Sequence, residues 1–170
     1  MTEQNILFRE RQRFTQFWLW VVVLVVASIF WAGFVSQIVL DGGFANNPIS
    51  DVQVIVLFIV MGIGFPVFFY SMRLTTLVQP GELQVRFWPF HLSPKRIPLH
   101  TVRDYARITY HPIRDYGGWG IRWSLRGKAY NMSGNEGVQL HFYNRKPLLI
   151  GSQNADELFE AIRQAKEMKR

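Results

Sequence analysis

Two long apolar stretches in the first half of the chain predict membrane-spanning helices. Residues 17–35 carry one polar side chain, Ser28, and residues 54–70 carry no charge. A helix of about 20 apolar residues matches the roughly 30 Å hydrocarbon core of a bilayer. We therefore expect two spans and the loop between them at 14–40, 52–72 and 41–51.

Basic residues flank the two stretches on one side only. Three arginines precede the first stretch within residues 1–13, and Arg73 follows the second, whereas the loop at 41–51 has no Lys or Arg. Positively charged flanks stay on the cytoplasmic side of a membrane. Residues 1–13 are therefore expected to be a cytoplasmic segment of a multi-pass inner (cytoplasmic) membrane protein, with both termini in the cytoplasm.

Small residues within both stretches predict that the spans pack as a hairpin, because they let helix backbones approach closely. The expected packing positions are Ser28, Ala32, Ser36, Gly62, Gly64 and Pro66. Proline inside a helix removes a hydrogen bond and usually kinks the helix. The kink has two interpretations, simple packing geometry or a hinge that forms a partner groove. Neither stretch contains an ionisable residue, so transport is not expected.

From Leu74 onward the apolar period changes to two, which is typical of half-buried antiparallel strands. The alternation occurs in "LQVRFWPF", "VRDYARITY", "WGIRWSL" and "GVQLHFY", and turn residues separate these segments. "KAYNMSG" is expected to pair with "WGIRWSL" across a short turn. The last segment has a helical period and predicts an amphipathic helix over about 154–168, capped by Asn154 with Glu157 three residues later. Residues 73–170 thus form a domain of six or seven short strands and one helix.

The order of "PGELQVRFWPF", "KRIPL", "YGGWGIR", "KAYNMSGNEGVQLHF" and "LLIGSQNADELFEAI" resembles bacterial pleckstrin-homology-like domains. The whole chain is similar to small uncharacterised bacterial membrane proteins with two spans ahead of such a domain. The resemblance implies a partly open antiparallel barrel capped by the C-terminal helix. It implies no particular activity, because this fold serves many binding roles. The first hairpin turn, "QPGE", lacks the basic residues of domains of this type that bind lipid phosphates.

Charge separates the later strands from the rest of the chain. The protein has a net charge of +7, and residues 77–153 alone carry 11 Lys and Arg against 4 Asp and Glu. A basic group near an anionic leaflet contributes about 1 kcal/mol. The residues expected to face such a leaflet are Arg73, Arg86, Lys95, Arg96, Arg103 and Arg107. The alternative is that they belong to ordinary solvated strand faces.

The glycine-rich "YGGWGIR" raises a second candidate site. Gly118 and Gly120 flank Trp119, and glycine normally weakens a strand. In one interpretation Trp119 packs into the core and the glycines form a turn or bulge. In the other, this stretch is a recognition edge for a partner or a small ligand, formed by Gly118, Trp119, Gly120, Arg122, Tyr130 and Asn131.

Known catalytic and metal-binding patterns are missing from the sequence. The chain has no cysteine, and the spacing of its four histidines matches no zinc motif. We expect no enzymatic activity, no metal and no cofactor. Two functions remain open: an accessory subunit that holds another membrane protein, or a second copy of itself, and a module that reads an anionic lipid surface or a small anionic ligand. Nucleic acid is a weaker match to the basic charge, since no nucleic-acid motif is present.

Overall fold

The computed structural model describes residues 6–40 and 50–168, which divide into two compact units. One unit is Phe14–Ser71. The other joins the residues up to Arg13 with those from Met72 onward. The expected loop at 41–51 lies outside the described residues except for its last two positions.

The first unit consists of two apolar helical stretches, Phe17–Val39 and Asp51–Ser71, that are long and apolar enough to cross a membrane. Each stretch contains α-helical and π-helical turns. The segments are α1 (Phe17–Phe34), a π-helix (Val35–Val39), α2 (Asp51–Leu57), a π-helix (Phe58–Gly64) and α3 (Phe65–Ser71). Ser50 and Gln53 form a capping box at the start of α2, which satisfies backbone donors at that helix end.

The two stretches pack through Gly62, as predicted, but otherwise through residues outside the predicted set. Val23, Ala27 and Gly62 are buried, whereas Ser28 and Ala32 are exposed. The reason is partly local, because the Ser28 hydroxyl donates to Leu24 O of its own helix at 2.7 Å and needs no partner from the second stretch. Of the remaining expected positions, Gly64 is exposed, and Ser36 and Pro66 are half-buried.

Aromatic side chains cover the region around Pro66. In an α-helix, Gly62 O would accept a hydrogen bond from residue 66, and proline has no N–H to donate. The Trp31 indole N–H, from the other stretch, donates to Gly62 O at 3.3 Å. Trp31 also packs edge-on against Phe58. Gly62 belongs to the π-helix Phe58–Gly64, and the Trp31 indole gives its carbonyl a donor from the other stretch.

The second unit contains two sheets and a C-terminal helix. The first sheet has the order β1-β2-β3-β4, with all pairs antiparallel. The second has the order β5-β8-β9-β7-β6. The strands are β1 (Phe8–Gln12), β2 (Arg73–Gln79), β3 (Glu82–Trp88), β4 (Lys95–Pro98), β5 (Val102–Thr109), β6 (Gly120–Ser124), β7 (Gly127–Asn131), β8 (Glu136–Phe142) and β9 (Leu148–Gly151). A short 3₁₀ helix (Leu99–Thr101), α4 (Pro112–Tyr116) and α5 (Ala155–Glu167) complete the unit.

The lack of closure agrees with the expected partly open barrel, whereas the expected all-antiparallel pairing is wrong. The described residues form two separate sheets without closure, and one pair, β7 with β9, is parallel. Strand β9 lies between β7 and β8, and all four of its residues are buried. Its continuous apolar run "LLI" suits a central strand covered on both faces. The expected pairing of β6 with β7 is confirmed.

Helix α5 packs across both sheets and supplies Leu158, Ile162 and Ala165 to the core. Asn154 occupies the expected N-cap position, but the expected capping box is wrong, because its side chain makes no capping hydrogen bond. The Ser152 hydroxyl instead accepts from the Asn154 N–H at 3.0 Å. In β5, a bulge between Val102 and Asp104 shifts the register, so the expected alternation is wrong at Asp104, whereas Ala106 and Ile108 are more buried than Arg107, as predicted.

Candidate functional site

Five arginines lie on one face of the first sheet. In β1 the side chains of Arg9 and Arg11 are exposed, while Phe8, Glu10 and Gln12 are buried. The other members are Arg73, Arg86 and Arg96, which come from three further strands. The register places Arg86 on this face, because Arg11 pairs with Thr75 and Thr75 with Arg86. In the same way, Arg73 pairs with Trp88, and Arg96 pairs with Gln84. We call this surface the arginine face, defined by Arg9, Arg11, Arg73, Arg86 and Arg96.

Strand β1 is held in place by buried hydrogen bonds on the opposite side of the sheet. Glu10 accepts from the Ser152 hydroxyl at 2.6 Å and from the Gln153 N–H at 2.8 Å. The Gln12 amide donates to Gly151 O at 2.8 Å. Residues far apart in the sequence thus fix the strand that precedes the first apolar stretch. The exposed alternate residues, Arg9 and Arg11, are positioned as a consequence.

The arginine face carries almost no negative charge. Within residues 6–40 and 50–168, no carboxylate lies within ion-pair distance of Arg9, Arg11, Arg73 or Arg86. Arg96 has a long contact with Glu82, at 3.8 Å. Uncompensated cations on a single surface are the electrostatic signature of a binding site for anions.

A groove of about 330 Å³ runs along the arginine face. Arg9, Arg11, Arg73 and Arg86 line it together with Trp88. The guanidinium carbons of Arg73 and Arg86 lie 5.9 Å and 5.3 Å from the Trp88 ring centroid, within the range of cation–π attraction. The groove therefore combines an amphipathic ring with flat cationic groups, each of which can donate two hydrogen bonds to a phosphate.

The face lies where the chain enters and leaves the apolar unit. Gln12 pairs with Leu74, so the end of β1 and the start of β2 are neighbours. The residues 14–71 are inserted between these two strands. Arg11 and Arg73 lie a few residues from the inserted helices along the chain, and Arg86 is at the same end of the sheet because it pairs with Thr75, the partner of Arg11.

The six basic residues expected at a membrane surface lie on more than one surface of the structure. Arg73, Arg86 and Arg96 are on the arginine face. Lys95 is in register with Val85 and so belongs to the other side of β3 and β4. Arg103 and Arg107 lie on β5 of the second sheet.

Arg107 is engaged by carboxylates. It forms ion pairs with Glu136 at 3.2 Å and with Asp156 at 3.1 Å. The positive charge of this residue is therefore largely compensated, unlike the charges of the arginine face. Sequence alone gave no sign of these partners, which come from β8 and from the start of α5.

Sequence reasoning treated Arg9 and Arg11 only as a basic flank of the first apolar stretch. The signal that could have placed them in a strand is the period-two pattern of "FRERQ", with alternate residues buried. Five residues before a hydrophobic run are a short window, and the partner strand lies more than 60 residues away, across the inserted helices.

Local hydrogen bonds and positive φ values shape the glycine-rich stretch. Trp119 is half-buried rather than part of the core, and its indole N–H donates to Gly134 O at 3.2 Å. Arg122 folds back on the same loop, since its Nε donates to Trp119 O at 2.8 Å. Gly118 and Gly120 have φ values of +121° and +113°, which side chains of L-residues rarely allow.

The expected recognition edge is corrected at two positions. Tyr130 is 2% exposed and Asn131 is fully buried, so neither shares an accessible surface with Arg122. Asn131 instead holds the glycine loop, because its Oδ1 accepts from the Gly120 N–H at 3.0 Å. Tyr130 and Asn131 are successive residues and point to opposite faces of β7, and both are buried, so this part of the strand is covered on both faces.

Titratable groups in the described residues offer little chemistry beyond charge. Within these ranges, no group of three or more acidic or histidine side chains could hold a metal. Asp115 forms ion pairs with Arg114 and Arg126 at 3.3 Å and 3.2 Å. A hydrogen bond from the His111 N–H, together with these arginines, lowers the pKa of the Asp115 carboxyl.

Comparison with known proteins identifies the family of this chain. Residues 1–168 match the model of a family of unknown function, DUF6141, and the chain belongs to this family. No curated protein matches the sequence.

Proposed function

We propose that this protein is a non-enzymatic, membrane-anchored binding module whose arginine face binds anionic lipid headgroups of the cytoplasmic leaflet. The observation that carries the proposal is the set of four arginines on one sheet face that have no carboxylate partner within residues 6–40 and 50–168. Each cation near an anionic leaflet contributes about 1 kcal/mol. Four together would provide strong, salt-sensitive attraction.

Chain connectivity supports the choice of a membrane as the partner. The strands that carry Arg9, Arg11 and Arg73 continue directly into the two apolar helical stretches. If these stretches span the membrane, the basic flanks favour a cytoplasmic location for this end of the sheet. The arginine face would then be held at the leaflet without the entropic cost of recruiting a free domain.

The pleckstrin-homology-like fold belongs to the same proposal. Support comes from the antiparallel β2-β3-β4 meander, a second sheet and a C-terminal helix packed across both sheets. The β1 strand and the parallel β7–β9 pair are additions to the fold expected from the resemblance. The arginine face includes β1, so the proposed binding surface depends on such an addition.

The experiment measures lipid selection by the full chain. Purified protein in detergent is incubated with an equimolar mixture of phosphatidylcholine and phosphatidylglycerol and repurified, and mass spectrometry quantifies the retained lipids. We expect enrichment of phosphatidylglycerol that decreases as salt is raised. The Arg9→Gln/Arg11→Gln variant should lose about 2 kcal/mol of this preference, roughly a thirtyfold change.

A matched control is available on the second sheet. The Arg103→Gln/Arg107→Gln variant removes the same charge from β5, away from the arginine face. Its lipid selection should remain that of the unmodified chain. Equal losses in the two double variants would show that net charge alone governs lipid binding, and would contradict the proposal.

A second function, an accessory subunit that holds another membrane protein or a second copy of this chain, is favoured by the hairpin. Ser28 and Ala32 are exposed on the outside of α1, where small side chains allow a further helix to approach. Its test is replacement of Ala32 by Leu. Loss of an equimolar membrane partner from the purified complex, with lipid selection unchanged, would support this function.

A further inference from the structure

A second basic cleft, of about 450 Å³, lies between the edge of the first sheet and the second sheet. Strand β4, the β6–β7 hairpin and the turn before β9 contribute its walls. Five basic residues line the cleft, with no carboxylate among its lining residues in the described ranges. They are Lys95, Arg96, Lys128, Arg145 and Lys146.

Lys128 stands at the centre of the cleft. Its ammonium nitrogen lies 4.5 Å from the Trp123 ring centroid and 4.7 Å from that of Tyr130. The backbone N–H of Lys128 donates to Pro147 O at 3.0 Å, which fixes the strand under the side chain. The amine is thus held between two aromatic faces, with its orientation set by packing.

Two ammonium groups approach each other in this cleft. Burial and then the neighbouring Lys95 lower the pKa of Lys128. Lys95 reaches this position because it pairs with Val85, so its side chain leaves the strand on the side opposite to the arginine face. Two amines brought together without a carboxylate repel each other, and a doubly charged anion between them would relieve the repulsion.

Apolar and aromatic walls accompany the charges. Trp123 is 71% exposed, although its ring borders the cleft. On the opposite wall, the Arg145 guanidinium carbon lies 3.6 Å from the Phe142 ring centroid, so the group is stacked on that ring. Ligand sites commonly combine such apolar surfaces with a few convergent polar groups.

We propose that this cleft binds a small phosphate-bearing ligand, with the phosphate between Lys95 and Lys128 and the remainder against Trp123. The site is distinct from the groove on the arginine face, because Lys95 and the face residue Arg86 lie on opposite sides of the first sheet, although Arg96 borders both surfaces. The shared chemistry is a phosphate monoester or diphosphate group, and both a soluble metabolite and a lipid headgroup could supply it.

The test uses the full chain in phosphatidylcholine nanodiscs, with pyrophosphate as the probe and calorimetry as the readout. We expect saturable binding of one pyrophosphate. Lys128→Met and Lys95→Met keep the aliphatic stems and remove the charges, and each should weaken binding by about tenfold or more. The Arg103→Gln control removes one positive charge outside the cleft and should leave the affinity unchanged.

A second readout separates local binding from a general charge effect. His91 lies next to the cleft, and burial, Lys95 and Lys128 lower its pKa. Pyrophosphate between the two lysines should raise the His91 pKa, measured by NMR of histidine-labelled protein. Absence of saturable binding, or equal affinities for the control and the two lysine variants, would overturn the proposal.

The source of the phosphate is identified by repeating the titration in nanodiscs that contain phosphatidic acid. Weaker apparent pyrophosphate binding there, restored in discs of phosphatidylcholine alone, would support the site and assign it to a lipid headgroup. Unchanged affinity would support the site and assign it to a soluble phosphate compound.

Discussion

The arginine face of the first sheet and Arg107 of the second sheet differ in their carboxylate partners. On the second sheet, Arg107 reaches two carboxylates, Glu136 and Asp156. On the first sheet, Arg9, Arg11, Arg73 and Arg86 have no such partner among the described residues. The difference shows that the local arrangement of opposite charges, rather than the number of arginines, marks a surface available for an external anion.

The largest effect is expected from detaching β1, which supplies two of the five face arginines. Glu10→Ala removes the acceptor for the Ser152 hydroxyl and the Gln153 N–H. Because an unsatisfied buried donor costs about 1–3 kcal/mol, we expect the free energy of unfolding to fall by roughly 3 kcal/mol. Urea denaturation of the full chain measures it.

The control for this variant lies on the same strand. Arg9→Ala changes an exposed side chain next to Glu10 and should alter the free energy of unfolding by less than about 0.5 kcal/mol. Similar losses in both variants would mean that β1 is not anchored through Glu10.

The next prediction concerns a carboxylate introduced beside the arginines of the first sheet, as Arg107 of the second sheet already has. Thr75 lies between Arg11 and Arg86 in the strand register. Thr75→Glu places a carboxylate beside both, and we expect the preference for phosphatidylglycerol to fall by about 2 kcal/mol. Thr75→Gln, of the same size without charge, should retain the preference. A preference unaffected by Thr75→Glu would count against the arginine face.

Acidification should affect the two sheets at different pH values. His91 Nδ1 accepts from the Phe87 N–H at 3.2 Å in the β3–β4 turn, and burial, followed by Lys95 and Lys128, lowers its pKa from 6.5. The folded state then binds this proton less tightly than the unfolded chain does. Stability should be complete above pH 6.5 and decrease as the pH falls below it.

Asp115, in α4, shows the same direction of change at a lower pH. The pKa of Asp115 is lowered from 3.8, so its contribution persists at higher pH and is lost only below this value. Thermal unfolding between pH 7.5 and 5 measures the His91 effect. His91→Asn, which retains an acceptor near the Phe87 N–H, should reduce the pH dependence in this range. An unchanged profile would show that another group is responsible.

The smallest effect concerns the compensated arginine. Glu136→Gln with Asp156→Asn removes both partners of Arg107, whose side chain is 45% exposed. Exposed ion pairs contribute little, so the free energy of unfolding should fall by less than about 1 kcal/mol. Lipid selection should not change, because Arg107 lies outside the arginine face. A gain in phosphatidylglycerol binding would extend the binding surface to the second sheet.

Much of the secondary structure followed from periodicity. The alternation of Leu83, Val85 and Phe87 predicted the buried side of β3, and the helical period predicted α5 close to its observed bounds. Each of these patterns can be recognised within a single strand or helix, because it reflects only which side of that element is buried. The two long apolar helices were recognisable from composition for the same reason.

Pairings between strands that are far apart in the sequence could not be predicted from periodicity. The pairing of β1 with β2 joins residues on either side of the inserted helices, and the parallel β7–β9 pair depends on how a later strand enters between two earlier ones. The arginine face required both the β1 pairing and the knowledge that its arginines lack carboxylate neighbours. Three of its five members, Arg73, Arg86 and Arg96, were among the basic residues predicted from the sequence. The other residues of that predicted set lie on different surfaces.

The most direct test of the central proposal is the accessibility of the arginine face in a membrane. The chain has no cysteine, so Thr75→Cys introduces a single thiol on this face, and Thr109→Cys places one on the second sheet as a control. Each full-length variant is reconstituted in nanodiscs, and the rate of labelling by a water-soluble maleimide is measured. The account predicts that phosphatidylglycerol slows labelling of Cys at position 75, that high salt reverses this, and that position 109 is unaffected. Equal labelling of position 75 with and without the anionic lipid would contradict it.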